Sequence, residues 1–236
     1  MSLASPMGRA LWLVWVGVVA AMHVGKLPPA LPVLSAQLGV TWVQGGFLLS
    51  MIQVAGMVLG LLGGLATDKI GPRRALLAGL CGLALGDVWG ALSTSTAALL
   101  VSRAVEGMGF LAVVLSAPSL IKRVLTDPVL LSRVMGYWGA YMPVGAALAM
   151  VVVPWGMAMV GWQGMWLLGA GLSLITALGV WRWIPPDAGR LESGGGSSRL
   201  GVTLHSVHVW ALALGFFVYS GQWLAVVGFL PTVHAN

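Results

Sequence analysis

The chain has 236 residues, of which 58% are apolar, only 8% are Asp, Glu, Lys or Arg, and 34 are glycine. Soluble domains carry about 25% charged residues, so too little polar surface remains here to cover a water-soluble globule. Disorder is excluded from the other side, because disordered chains are rich in charge and poor in apolar residues. The net charge of +6 would suggest a nucleic-acid partner in a soluble protein, but its placement along this chain points to a membrane surface instead.

Seven apolar stretches reach the roughly 20 residues that a helix needs to cross a bilayer. They run over 10–32, 43–66, 75–95, 97–121, 134–155, 161–183 and 207–230. The runs are continuous rather than alternating, which predicts helices and not barrel strands. The first follows Arg9 and continues to Val33 with no convincing cleavage site, so a retained helix is expected rather than a signal peptide. Cys81 stands alone and cannot close an internal disulfide.

Ten of the twelve cations fall on alternate loops. Arg9 precedes span one, and Lys69, Arg73 and Arg74 follow span two. Lys122, Arg123 and Arg133 surround the connection between spans four and five; Arg182, Arg190 and Arg199 follow span six. The loops near 34–42, 95–97 and 156–160 carry none. The positive-inside rule then puts the N-terminus in the cytoplasm of a multi-pass protein of the cell membrane, with a bacterial-type inner membrane expected. Four charged residues are left inside spans: Lys26, Asp87, Arg103 and Glu106.

Pro185 and Pro186 end span six, and Gly194-Gly195-Gly196-Ser197-Ser198 has the composition of a flexible linker. The expected division is a six-helix bundle over 1–183, a cytoplasmic linker over 184–206, and the first helix of a second bundle over 207–236. Twelve spans with linkers would need roughly 400 residues at this span size. The chain is therefore expected to be a fragment that lacks the C-terminal bundle a complete pathway needs.

The loop after span two reads Gly63-Gly64-Leu65-Ala66-Thr67-Asp68-Lys69-Ile70-Gly71-Pro72-Arg73-Arg74. Asp68 is suited to accept hydrogen bonds from a helix N-terminus or an arginine, Gly71-Pro72 turns the chain, and the cations sit at the inner leaflet. Gly64, Asp68, Lys69, Gly71, Arg73 and Arg74 together resemble the signature loop between helices two and three of major facilitator superfamily transporters. Arg103-Ala-Val-Glu106-Gly107-Met-Gly109 in span four resembles that family's Arg-x-x-x-Gly-x-Gly pattern. Gly161-Trp162-Gln163, opening span six, agrees as well. The resemblance implies two six-helix bundles around a central path, alternating access, and a conformational latch at the Asp68 loop. Span five lacks the Gly-Pro pair of the family's antiporter signature, so no exchanger is assigned. His23-Val-Gly-Lys26-Leu-Pro-Pro-Ala-Leu-Pro32 resembles the cyanate and nitroimidazole permease branch.

Lys26 and Arg103 are candidates for substrate binding or coupling, against the alternative that both snorkel to the outer interface. His23 lies three residues before Lys26 on the same face and is a candidate for substrate or proton contact. Glu106 is one turn from Arg103, so it either pairs internally or titrates as a proton-coupling carboxylate. Asp87 falls near mid-membrane, where an unpaired charge is expensive; it is expected to be protonated or hydrogen-bonded to a neighbour, with coupling as the alternative. Glycines at 82, 86 and 90 should let helices approach closely, as should those at 56, 60 and 64. Tryptophans 12, 15, 42, 162, 181 and 183 read as interfacial anchors, and Trp89, Trp138, Trp166 and Tyr141 as core.

No HExxH, GxSxG or Walker loop is present, so neither an enzyme nor ATP-driven transport is expected, and no cofactor. The expectation is an all-α polytopic secondary transporter moving a small solute such as a small anion, with proton coupling. The alternatives are a multidrug exporter and a non-transporting or half-unit membrane protein that needs a partner.

Overall fold

The computed structural model describes residues 5–187 and scattered positions between 205 and 222, and the side chains of residues 55–66 and of Asp68 lie outside the described set. The Ser5 hydroxyl accepts from the Gly8 amide at 3.1 Å, and Pro6 sits in the first turn where its missing N–H is harmless. Helix α1 accordingly runs Pro6–Gly25, and α2 continues as Leu27–Leu38 after a turn at Lys26. Pro28 and Pro29 cannot return hydrogen bonds to the carbonyls of Val24 and Gly25, which breaks the first span at that level. The span is longer than 10–32 at both ends because Ser5 starts it and Gly39, at φ 65°, stops it.

Thr41 and Gln44 form a reciprocal capping box that starts α3 (Trp42–Ile70). Helix α4 (Pro72–Ala91) follows Gly71, and α5 (Thr96–Val124) is capped by Ser95. Helix α6 (Pro128–Gly139) begins where the Asp127 carboxylate accepts from the amides of Val129 and Leu130. Helix α7 runs Tyr141–Trp183, but Gly161 within it has φ 72° and ψ 172°. Only glycine adopts that backbone freely, so spans five and six turn back on each other at one residue.

Among the described residues, four helical stretches are long and apolar enough to cross a membrane: Pro6–Leu38, Pro72–Ala91, Thr96–Val124 and Pro128–Trp183. The last has 56 residues, enough for two crossings, and Gly161 divides it. With α3 these account for the first six expected spans, and no strand occurs among the described residues. The fold is an all-helical, polytopic membrane bundle. The expected linker over 184–206 and the seventh span over 207–230 fall largely outside the described residues, as does the glycine stripe of span two.

Helix α4 packs most extensively on α5, and α7 packs on both α1 and α4. Two apolar clusters hold these contacts. One contains Leu13, Leu80, Leu83, Phe110 and Val113; the other contains Leu27, Leu48, Leu99, Trp162 and Trp166. Along α4, Asp87 falls between Leu83 of the first and Ala91 of the second. Along α5, Arg103 and Glu106 fall between Leu99 and Phe110. All the intramembrane charges therefore form one layer between two dry clusters.

Two aromatic expectations are corrected. Trp162 is not an interfacial anchor but a core residue, 1% exposed. Its ring meets Trp166 edge-on at 5.6 Å, and its N–H donates to Gln37 Oε1 at 2.8 Å; that partner removes the need for a wet interface. Trp89 is half exposed rather than core, because the glycine face of α4 turns toward α5 and leaves this tryptophan outside.

Candidate functional site

Close approach of α4 and α5 builds the charged layer. A Cβ on Gly86 would lie 2.5 Å from Glu106 Cγ and 3.0 Å from the Glu106 amide nitrogen, so the glycine admits the Glu106 side chain. Lys26 reaches in from the break between α1 and α2. Its ammonium is ion-paired with Asp87 Oδ1, lies 3.0 Å from Glu106 Oε2, and sits 4.7 Å from the centre of the Trp166 ring. Arg103 Nη1 donates to the same Glu106 oxygen at 2.5 Å and to the His23 carbonyl at 2.9 Å. That carbonyl belongs to the last turn of α1, where cations are favoured.

His23 completes the layer. Nδ1 lies 2.9 Å from the Val19 carbonyl, and a carbonyl oxygen only accepts, so Nδ1 carries the hydrogen of that contact. Nε2 lies 3.1 Å from Asp87 Oδ2 and 3.1 Å from Ser173 Oγ. With one proton on the ring, Nε2 can accept from Ser173 but turns a lone pair toward the carboxylate; a second proton converts the repulsion into a charged hydrogen bond.

The structure thus brings together all five predicted residues of spans one, three and four: His23, Lys26, Asp87, Arg103 and Glu106. Lys26 and Arg103 do not snorkel, being 5% and 0% exposed, because carboxylates wait for them inside the bundle. In the layer, Arg103 Nη2, Glu106 Oε1 and Asp87 Oδ2 are buried without a hydrogen-bond partner among the described residues. A chamber of ≈ 580 Å³ abuts the layer, with His23, Lys26 and Asp87 at its polar end and side chains of spans five and six as walls. Among the described residues, no group of three or more His, Cys, Asp or Glu is placed to hold a metal ion.

The motif loop lies at the opposite end of α4. Gly64 and the Asp68 side chain fall outside the described residues, and Lys69 is exposed. Gly71, at φ 93°, packs directly against the Asp187 carboxylate. Asp187 accepts from the amides of Arg73 and Arg74, both at 3.2 Å, and from Arg123 Nη1 at 2.7 Å. The Arg73 side chain donates to the Trp181 carbonyl at 2.7 Å. The carboxylate that caps α4 among the described residues is therefore Asp187, 113 residues away from Arg74 in the chain.

Sequence reasoning missed Asp187 and Ser173 as partners. Ser173 carries a usable signal: with Trp166, Ala170, Ala177 and Val180 it forms a buried stripe at helical spacing, and with Thr176 it is a polar member of a mostly apolar face. Nothing local marks Asp187.

The fold and the buried charged layer define a polytopic helical membrane protein with a polar centre. Residues 13–236 match the family described as Major Facilitator Superfamily, and the chain belongs to that family. It is 25% identical over 226 residues to the cyanate transport protein CynX of Escherichia coli (strain K12), covering 95% of this chain and 58% of that protein. It is 25% identical over 182 residues to the methylenomycin A resistance protein of Bacillus subtilis (strain 168), covering 77% of this chain and 36% of that one. The crystal structure of the human organic anion transporter MFSD10 (TETRAN) shares the fold with TM-score 0.59 and 24% identity, over 76% of this chain and 48% of that chain. The chain thus spans about a third of the length of the resistance protein and little over half that of the cyanate transport protein.

Proposed function

We propose that this chain is the substrate-binding half of a secondary transporter that moves a small anion together with a proton by alternating access. The observation that carries the proposal is the buried layer in which, among the described residues, His23, Lys26 and Arg103 meet two carboxylates, Asp87 and Glu106. Charges at membrane depth are expensive and are kept where they meet substrate or coupling ion. Lys26 and Arg103 balance Asp87 and Glu106, and His23 lies against Asp87 as the proposed proton contact. On this reading a second bundle facing this one completes the pathway, and the cationic loops support a cytoplasmic N-terminus in a bacterial-type inner membrane. In that assembly the Asp68 loop serves as the latch between halves.

Uptake of labelled anions by cells producing the complete transporter tests this. Lys26→Ala and Arg103→Ala should each abolish uptake per transporter molecule present in the membrane, and undiminished uptake in both overturns the proposal. A second reading, export of apolar drugs, is favoured by the chamber walls and by the similarity to a resistance protein. Drug-sensitivity profiling separates it, because only an exporter changes the growth-inhibiting dose.

A further inference from the structure

The chamber beside the charged layer has two unlike ends. Its inner end is His23, Lys26 and Asp87, each at least nine-tenths buried. Its walls are apolar throughout: Met22, Val152, Trp155, Met159, Met165 and Leu168. Trp155 and Met159 are 77% and 85% exposed, so the mouth lies between spans five and six, on the outside of the bundle. The volume of ≈ 580 Å³ is within the range of about 300–1,000 Å³ that encloses a small organic ligand, and far exceeds what a triatomic inorganic ion fills. Gly169 faces Asp87 Oδ2 so closely that any side chain there would collide with the carboxylate; the glycine keeps the inner end open.

We propose that this chamber binds a monoanion with an apolar body, of the class of aryl or short-chain carboxylates. The head group lies against the Lys26 ammonium, and the body lies among the methionines, valine and leucine of the walls. The sign of the head is taken from the anion reading above, with the Lys26 ammonium as the cation at the inner end of the chamber. The class of the body follows from the walls, which offer a ligand nothing but dispersion contacts and removal from water. This rests on the anion reading above and specifies which anion.

The test is direct binding to the protein in phosphatidylcholine nanodiscs, by calorimetry, with four probes: 2-naphthoate, nitrate, naphthalene-2-carboxamide and 2-naphthylmethylammonium. Naphthoate should bind at least about tenfold more tightly than each of the others, because only it matches both ends. Val152→Trp fills the chamber from a half-exposed wall position and should lower the preference for naphthoate over nitrate about tenfold. Leu168→Trp, also on an exposed wall, should do the same, so the result does not depend on one variant folding. If naphthoate binds no better than nitrate, the apolar-body inference is overturned while the anion reading stands. If the ammonium binds most tightly, both fall. If naphthoate is displaced when part of the phosphatidylcholine is replaced by phosphatidylglycerol, the occupant is a lipid and the inference is overturned.

Discussion

Lys26 and Asp87, 61 residues apart, are joined as a buried ion pair at the one level where the first span is broken. The break exposes a stretch of the first span to the interior, and α4 supplies the compensating charge. His23 and Glu106 hold the same two residues from either side. The pair therefore determines how spans one and three sit relative to each other.

Removing one member leaves the other uncompensated. Lys26→Met and Asp87→Leu should each destabilise the bundle by about 3–5 kcal/mol. The double variant should be less destabilised than the sum of the two by more than about 1 kcal/mol, since neither charge is then stranded. Thermal unfolding in nanodiscs measures all three, and strict additivity would show the pair to be idle.

Gly86 is where α4 and α5 come closest to the Glu106 side chain. Gly86→Ala should cost about 1–3 kcal/mol by overpacking, despite alanine's better helix propensity. Gly136, which has open space around its missing Cβ, supplies the control: Gly136→Ala in α6 should be neutral or stabilising in the same unfolding assay.

Asp187 caps α4 from a distant part of the chain and pairs with a partly exposed arginine, so its worth lies in the two backbone amides more than in the ion pair. Asp187→Asn should weaken the cap by about 1 kcal/mol. Hydrogen exchange at the Arg73 and Arg74 amides should quicken roughly fivefold. Exchange in the middle of α4 should not change.

Trp162 and Gln37 tie the far end of span one to the start of span six. Trp162→Phe keeps the ring packing and loses the hydrogen bond, at about 1 kcal/mol. Trp162→Ala should cost about 3–5 kcal/mol, because it also empties a core site beside Trp166. Combining Trp162→Phe with Gln37→Leu should add little to the first change alone.

The fold class was legible because lipid removes most alternatives: long apolar runs must be helices, and loop cations reveal their order. Span ends were less legible. Ser5 and Thr41 act through capping geometry that extends helices past the apolar run, and Lys26 breaks one through the prolines that follow it. The charged layer was legible as a set, since only four intramembrane charges and one adjacent histidine were available. Its pairing was not. That the neighbours of Asp87 are Lys26 and His23 depends on the helical phases of two separate spans coinciding, and no spacing within one segment encodes that. Asp187 and Ser173 lay beyond reach for the same reason. Trp162 departs from the interfacial pattern because a place near a span end does not by itself mean exposure, and the hydrogen bond to Gln37 lets its ring sit in the core.

The reversal at Gly161 has a practical consequence for mapping this protein in cells. Fifty-six helical residues change direction at one backbone position, and the next residue is clamped to Gln37, so this hairpin offers no spare loop. Epitope tags or protease sites placed between Val160 and Trp162 should be refused by the fold. The same inserts in the turn between α5 and α6, beside exposed Lys122 and Arg123, should be accepted. Topology reporters therefore belong on the cation-bearing side, and the opposite side is better probed by single-residue labelling at Met159.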